Sequence, residues 1–225
     1  MKKVVCVLLV LLFPFSCLST ALAASYEETR FIETQTEKVK DLESRYGVCI
    51  TPHDANSTDY LAPSALEEVE NYLIIMDAFV RMQRQNEVGV SVFEEEISFS
   101  ETLEQTSSTV TSWDIDRSNY VDDYVTLADG SRFNVRGNVY YEGYAQKTVT
   151  DGKVYLSGYI SNCYVEGIYT GTQSFLGGSL NIQGNGTTAA SYCPSGTLLF
   201  EVSFQAMTVS GRHTFWYPII DFVTP

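Results

Sequence analysis

Glycine is confined to one part of this chain, and the confinement limits what each part can become. Of the 15 glycines, Gly47 alone falls within residues 24–87, and all the others fall within 88–225. Glycine reaches the positive-φ conformations that tight turns need, and it weakens helix interiors. The first segment is therefore free to be helical, whereas the second is equipped for frequent turns between short elements.

Within the first segment, Phe31, Gln35, Val39, Leu42 and Tyr46 recur at near-helical spacing, and Gly47 stands where a left-handed cap would end the helix. Residues 51–57 read as a loop. Ser64 followed by Glu67 has the form of a capping box, and Leu66, Val69, Leu73, Met76, Phe79 and Val80 form an apolar stripe on a second helix running to about Gln85. Each stripe must lie on something, and the downstream strands supply that surface. From Val88 onward the pattern turns to β-prone runs at 88–93, 109–115, 120–127, 139–146, 154–160, 198–204 and 213–222. Asp129-Gly130 and Asp151-Gly152 are the strongest turn signals among them, since a type I′ turn wants positive φ at both central residues. The expected fold is α+β: a 24–87 segment of two amphipathic helices, followed by and packing on a mostly antiparallel β-sandwich or barrel-like sheet over 88–225.

Residues 1–23 read as a secretory signal peptide. Lys2 and Lys3 precede an apolar run from Val4 to Leu18, and Ala21-Leu22-Ala23 offers the small residues of a cleavage site. The run, interrupted by Pro14, is shorter than the roughly 20 residues that span a bilayer. The mature protein is expected to begin at Ala24 and to be secreted, periplasmic or extracellular, with no membrane span. The chain carries a formal charge of −14, made two units more negative by loss of Lys2 and Lys3. A charge of that sign excludes a phosphate-backbone binder, so nucleic acid is not an expected partner. Cleavage leaves Cys49, Cys163 and Cys193. In an oxidising compartment one bridge is expected, and Cys163 with Cys193, both in the strand-rich part, form the favoured pair.

Signatures of several chemistries are missing: no GxxxxGK[ST], HExxH, CxxC or GxSxG occurs. Cys49 and His53 could supply a nucleophile and a base, but Pro52 breaks any helix that would align them. Asp114, Asp116, Ser118 and Asp122 fall at positions one, three, five and nine of a spacing that resembles the EF-hand calcium loop. Asn119 stands where that loop wants glycine, and Val125 stands where its bidentate glutamate belongs. An acidic strand-linking loop is the simpler account, with a structural calcium site as the alternative, and no cofactor is otherwise expected. The run Glu94-Glu95-Glu96 reads as a solvated edge or loop.

The remaining constellation is aromatic. A two-residue turn at Asp151-Gly152 places Tyr144 opposite Tyr159 and Thr148 opposite Tyr155. Alternation then puts Val139, Tyr141, Val149, Val154, Leu156 and Ile160 on a core-like side, and Tyr140, Glu142, Tyr144, Tyr155, Ser157 and Tyr159 on the other. Tyrosine rings can stack on sugar faces while hydroxyl and carboxylate groups bond to them. The competing account buries these tyrosines beneath the helices. The expected function is a secreted, non-enzymatic binding or adhesion module with a glycan or other cell-surface ligand on Tyr140, Glu142, Tyr144, Tyr155 and Tyr159. The alternative is a secreted glycan hydrolase using paired carboxylates.

Overall fold

The computed structural model describes residues 26–85, 90–93, 108–168 and 170–225. The expected signal peptide, 1–23, and the acidic run 94–96 lie outside them. Helix α1 covers residues 26–46 and ends at Gly47, whose φ is 65° and whose N–H bonds to the Glu43 carbonyl at 2.9 Å. That is the left-handed cap the sequence implied. The next residues form strand β1, Val48–Pro52, with Val48 and Ile50 buried and Cys49 and Thr51 exposed; its last two residues, Thr51 and Pro52, were expected to begin the 51–57 loop. Helix α2 spans Pro63–Gln85. It starts one residue before Ser64, with Pro63 in the first turn, where a missing N–H costs nothing; Ser64 therefore lies inside the helix and is not its cap. No helix among the described residues is long and apolar enough to cross a membrane.

The remaining strands are β2 (Val90–Phe93), β3 (Thr109–Thr126), β4 (Arg132–Thr150), β5 (Lys153–Glu166), β6 (Thr172–Gln183), β7 (Ala190–Ser203), β8 (Met207–Trp216) and β9 (Ile220–Val223). They form a six-stranded sheet, ordered β1-β8-β7-β9-β2 with β6 on the other edge of β7, and a three-stranded sheet, β3-β4-β5. Among the described residues, all pairings are antiparallel except β2 with β9. The architecture is thus α+β with mostly antiparallel sheets. Two expected strands, 109–115 and 120–127, merge into the single β3. The join is possible because Asn119, polar but buried, meets Gln83 of α2: Gln83 Nε2 donates to the Asn119 carbonyl at 3.0 Å, and Asn119 Nδ2 donates to Gln83 Oε1. Conversely, the expected run 213–222 divides around Pro218 into β8 and β9.

Helix α2 explains how the sheets meet. Its C-terminal half puts Met76, Phe79 and Val80 between Val121, Val135, Val139 and Tyr141 of the three-stranded sheet and Leu198 and Phe215 of the other. Its N-terminal half, with Val39 and Leu42 of α1, lies on the six-stranded sheet alone, against Val48, Ile50, Phe200, Val202 and Val209. At the far end, among the described residues, Ile115, Ala145, Leu156 and Ile160 pack directly on Ala190, Tyr192 and Val223. The close approach of helix to sheet depends on Gly137 of β4, where a Cβ would sit 2.9 Å from the Phe79 ring. The helical segment therefore shares its core with the strands, and through β1 it supplies one of them.

The barrel-like alternative is not closed. Along the edge of β5 that faces β6, side-chain amides take the place of a continuous ladder. Gln173 accepts from Val165 N–H at 2.8 Å and donates to its carbonyl at 2.7 Å, and Asn185 does the same for Leu156 at 2.6 and 3.1 Å. A single isolated bridge, Val154 with Thr187, supplements them.

The expected Cys163–Cys193 bridge is absent: both are free thiols, as is Cys49. Cys163 and Cys193 do share a core cluster around Tyr141. Cys193 Sγ, however, donates to the Tyr217 carbonyl at 2.8 Å, while Cys163 packs against Gly196. Burial pushes the Cys163 thiol up to about 12 and the Cys193 thiol up to about 11.

Candidate ligand-binding face

The site is set by one turn. Asp151 and Gly152 both have positive φ, 51° and 69°, as a type I′ hairpin requires. The register follows: Tyr144 pairs with Tyr159 and Thr148 with Tyr155. The faces sort as alternation predicts, with Val139, Tyr141, Val154, Leu156 and Ile160 buried and Val149, expected with them, half-buried. Tyr155 and Tyr159 on the opposite side are exposed, Tyr159 by 59%, and Tyr140, Glu142 and Tyr144 are half-buried. These tyrosines do not lie beneath the helices.

A bulge then enlarges the face. The register shifts between Glu142 and Gly143, so that Glu142 pairs with Asn162, Tyr141 with Cys163 and Tyr140 with Tyr164. Ser161 is the extra residue, and its hydroxyl donates to the Glu142 carbonyl at 3.1 Å. Beyond it the parity of β5 is reversed: Asn162, Tyr164 and Glu166 turn outward and Cys163 turns into the core. Strict alternation would have sent Tyr164 inward, and nothing in the sequence around Ser161 announces the bulge.

Strand β3 completes the surface. Asp114 pairs with Tyr144, Asp116 with Glu142 and Ser118 with Tyr140. All three β3 residues are exposed, as are Tyr120 and Asp122. Rows therefore run across three strands: Ser118, Tyr140, Tyr164; then Asp116, Glu142, Asn162; then Asp114, Tyr144, Tyr159. Tyr140 and Tyr164 stack with centroids 4.7 Å apart and planes 13° from parallel, and Tyr144 and Tyr159 lie 6.1 Å apart. Between these ring pairs Glu142 Oε2 accepts from Asn162 Nδ2 at 3.1 Å. Burial and the nearby Glu142 and Glu166 carboxylates raise the Tyr164 phenol above its ordinary range. Along the same face Arg136 pairs with Asp122 at 3.0 Å, and that contact holds the Asp122 carboxyl below its usual range against a desolvation effect of opposite sign.

The same arrangement corrects the calcium alternative. Asp114, Asp116, Ser118 and Asp122 do not form a loop. They occupy alternate positions on one extended strand, spread over about 26 Å at about 3.3 Å per residue, and cannot converge on one ion. No group of three or more potential ligands suited to a metal is found among the described residues. Cys49 and His53 are likewise not brought together, since four extended residues separate them by about 13 Å; His53 Nε2 lies 3.0 Å from Thr208 Oγ1 instead.

Asp116 and Glu142, direct cross-strand neighbours, have Cβ atoms about 5 Å apart; among the described residues they stand on an open face, without the enclosure that sets a catalytic carboxyl pair apart. A groove of roughly 780 Å³ elsewhere is lined by His53, Asp54, Asp59, Glu68 and Phe204 among others. Its loop is held by local bonds, Asp54 Oδ1 accepting from Asn56 N–H at 2.8 Å and Ser57 Oγ accepting from Asp59 N–H at 3.0 Å. No family model, curated protein or solved structure matches the chain.

Proposed function

We propose that the chain is a secreted, non-enzymatic binding or adhesion module, a two-sheet β-sandwich that holds a glycan on the outer face of β3-β4-β5. The observation that carries this reading is the convergence on one exposed face of two tyrosine pairs and the carboxylates Asp114, Asp116 and Glu142. A sugar ring presents C–H groups on its face and hydroxyls around its rim. The first suit a tyrosine ring, and the second suit a carboxylate or the Asn162 amide. Export is proposed from the signal-peptide pattern of residues 1–23, and it predicts an intact mass beginning at Ala24.

Charge narrows the ligand. Asp114, Asp116, Glu142 and Glu166 share the face, so sugars bearing carboxylates or sulfates are repelled, and neutral or amino sugars are favoured. A glycan panel sorted by charge tests the proposal: neutral or amino-sugar oligomers bind, and acidic ones do not. Binding to none of these classes, or binding that prefers acidic glycans, overturns it. Conversion of a bound glycan to shorter products would replace the binding module with the hydrolase.

A further inference from the structure

The outward rows of β3-β4-β5 continue past the two tyrosine pairs, and their chemistry repeats. Beyond the row of Asp114, Tyr144 and Tyr159 come Ser112, Gln146 and Ser157, and then Val110, Thr148 and Tyr155. Consecutive rows therefore alternate in kind. Rings at Tyr140 and Tyr164 are followed by a polar row with Glu142 and Asn162, rings at Tyr144 and Tyr159 by a polar row with Gln146 and Ser157, and Tyr155 supplies the last ring. Val110 and Tyr155 in that last row are both exposed. The Tyr155 ring lies beside the turn that follows β6, where a Cβ on Gly186 would meet its Cε1 at 3.4 Å. The same turn is joined to β5 by the bridge of Val154 with Thr187, so the third ring has a fixed neighbour at the end of the face.

Ring rows recur at every fourth residue along β4, which sets the platforms about 13 Å apart and gives the three a span of about 26 Å. Each polar row between them carries a primary amide, Asn162 or Gln146, able to donate and to accept. A single sugar on such an open face covers one platform and leaves its other side in water. Affinity then has to come from repetition. A chain held at one platform presents its next segment to the next platform at high effective concentration, and the separate affinities multiply. The ligand whose C–H faces and hydroxyls repeat along its length, as ring rows and polar rows repeat along this face, is a linear polymer.

We infer that the face grips the interior of an unbranched glycan chain laid along β4 over all three platforms, rather than a single sugar or a chain end. The inference rests on the glycan reading above and adds to it the form of the ligand. A chain end is read by a wall set across its path, whereas here the rows follow one another on a single sheet face from Ser118 to Val110. Tyr155 is the residue that distinguishes a long ligand from a short one, because it stands one full platform beyond the Tyr144 and Tyr159 pair.

Length series supply the test: β-1,4-linked oligomers of glucose and of glucosamine, from monomer to octamer, titrated calorimetrically into the whole protein. In at least one series affinity should climb with length, the octamer binding at least tenfold more tightly than the dimer. Longer oligomers also offer more registers, a gain that does not involve Tyr155, so Tyr155→Ala isolates the platform effect. That variant should cut octamer affinity at least fivefold at a melting temperature within a few degrees of the parent; should it not fold, the length series on the parent still decides. Equal affinity for dimer and octamer, or octamer affinity indifferent to Tyr155→Ala, would overturn the extended-chain inference and leave the glycan reading in place. Absence of binding at every length in both series would also overturn it, and the charge-sorted panel then decides the glycan reading by itself.

Discussion

His213 shows most directly how burial sets behaviour at a single residue. Its ring stacks on Phe200 at 4.7 Å and 4° and meets the edge of Phe215 at 6.3 Å, and its Nε2 has no hydrogen-bond partner among the described residues. Burial holds its pKa down to about 4, with smaller opposing effects from Asp77 and Arg84 of α2. In the unfolded chain the imidazole takes up a proton near pH 6.5, whereas in the folded protein it resists until about 4. The unfolded state therefore binds more protons in that window, and stability falls as pH drops from about 6.5 to 4, by about 1.4 kcal/mol per unit and about 3 kcal/mol in all. Urea melts at pH 7 and pH 4.5 should show this loss, and His213→Phe should remove most of it; an unchanged pH slope in the variant would assign the loss elsewhere. The thiols give a second prediction at this scale. Cys49 is exposed, while burial disfavours the thiolates of Cys163 and Cys193. Alkylation of the native protein followed by peptide mapping should find Cys49 modified well before the other two, and equal rates would contradict the placement of β5 and β7.

At the scale of elements, the junction between β5 and β6 rests on two primary amides that imitate a neighbouring strand. Asn185 satisfies both the N–H and the carbonyl of Leu156, and Gln173 does so for Val165. Asn185→Ala leaves two groups of a buried strand residue without partners, at a cost of about 2 kcal/mol or more. Gln173→Ala should cost a similar amount, and the two should add, because the sites are far apart. Denaturant titrations of the single and double variants check this, and losses under about 0.5 kcal/mol would show that water replaces the amides. Such contacts are invisible in a sequence, as are the pairings with β8 that make Val48–Pro52 a strand. What was legible was local: the Gly47 cap, the stripe of α2, and the hairpin at Asp151-Gly152 with its register, each specified by residues within a few positions. The second turn signal, Asp129-Gly130, folds differently. Gly130 alone has positive φ, at 82°, and bonds back to the Leu127 carbonyl at 3.0 Å, giving a type I turn with a left-handed glycine. The reading of 114–122 as a loop has a related cause, since acids at every second position match both a ligand loop and the outward side of a strand. Ile115 and Val121, buried between them, carry the period that decides for the strand. Strand β6 was missed because its Gly177-Gly178 pair and polar residues hide its alternation, and Tyr164 was missed because a bulge changed the parity on which its placement depended.

The whole molecule has two open sheet faces of different character, and the difference supports placing ligand binding on only one. On the outer side of the six-stranded sheet, hydroxyls bond to one another, Thr197 with Thr214 at 2.9 Å and Ser179 with Ser195 at 3.0 Å, beside the exposed Leu176 and Trp216, and carboxylates are not among these groups. The outer side of β3-β4-β5 instead exposes ring pairs and carboxylates, and like charges placed side by side there cost stability. Such a surface makes sense if a ligand meets those groups. The inner side of the same sheet carries the core, so loss of the outward rings should leave the fold intact. The Tyr144→Ala/Tyr159→Ala double variant puts both statements to one test, with melting temperature and glycan affinity measured on the same preparation. A cross-strand aromatic pair at the surface is worth about 0.2–1 kcal/mol, whereas two core aromatics would cost about 3 kcal/mol or more each. The predicted result is a melting temperature within a few degrees of the parent together with loss of glycan binding; a protein that melts far lower, or one that binds its glycan as before, would contradict the account.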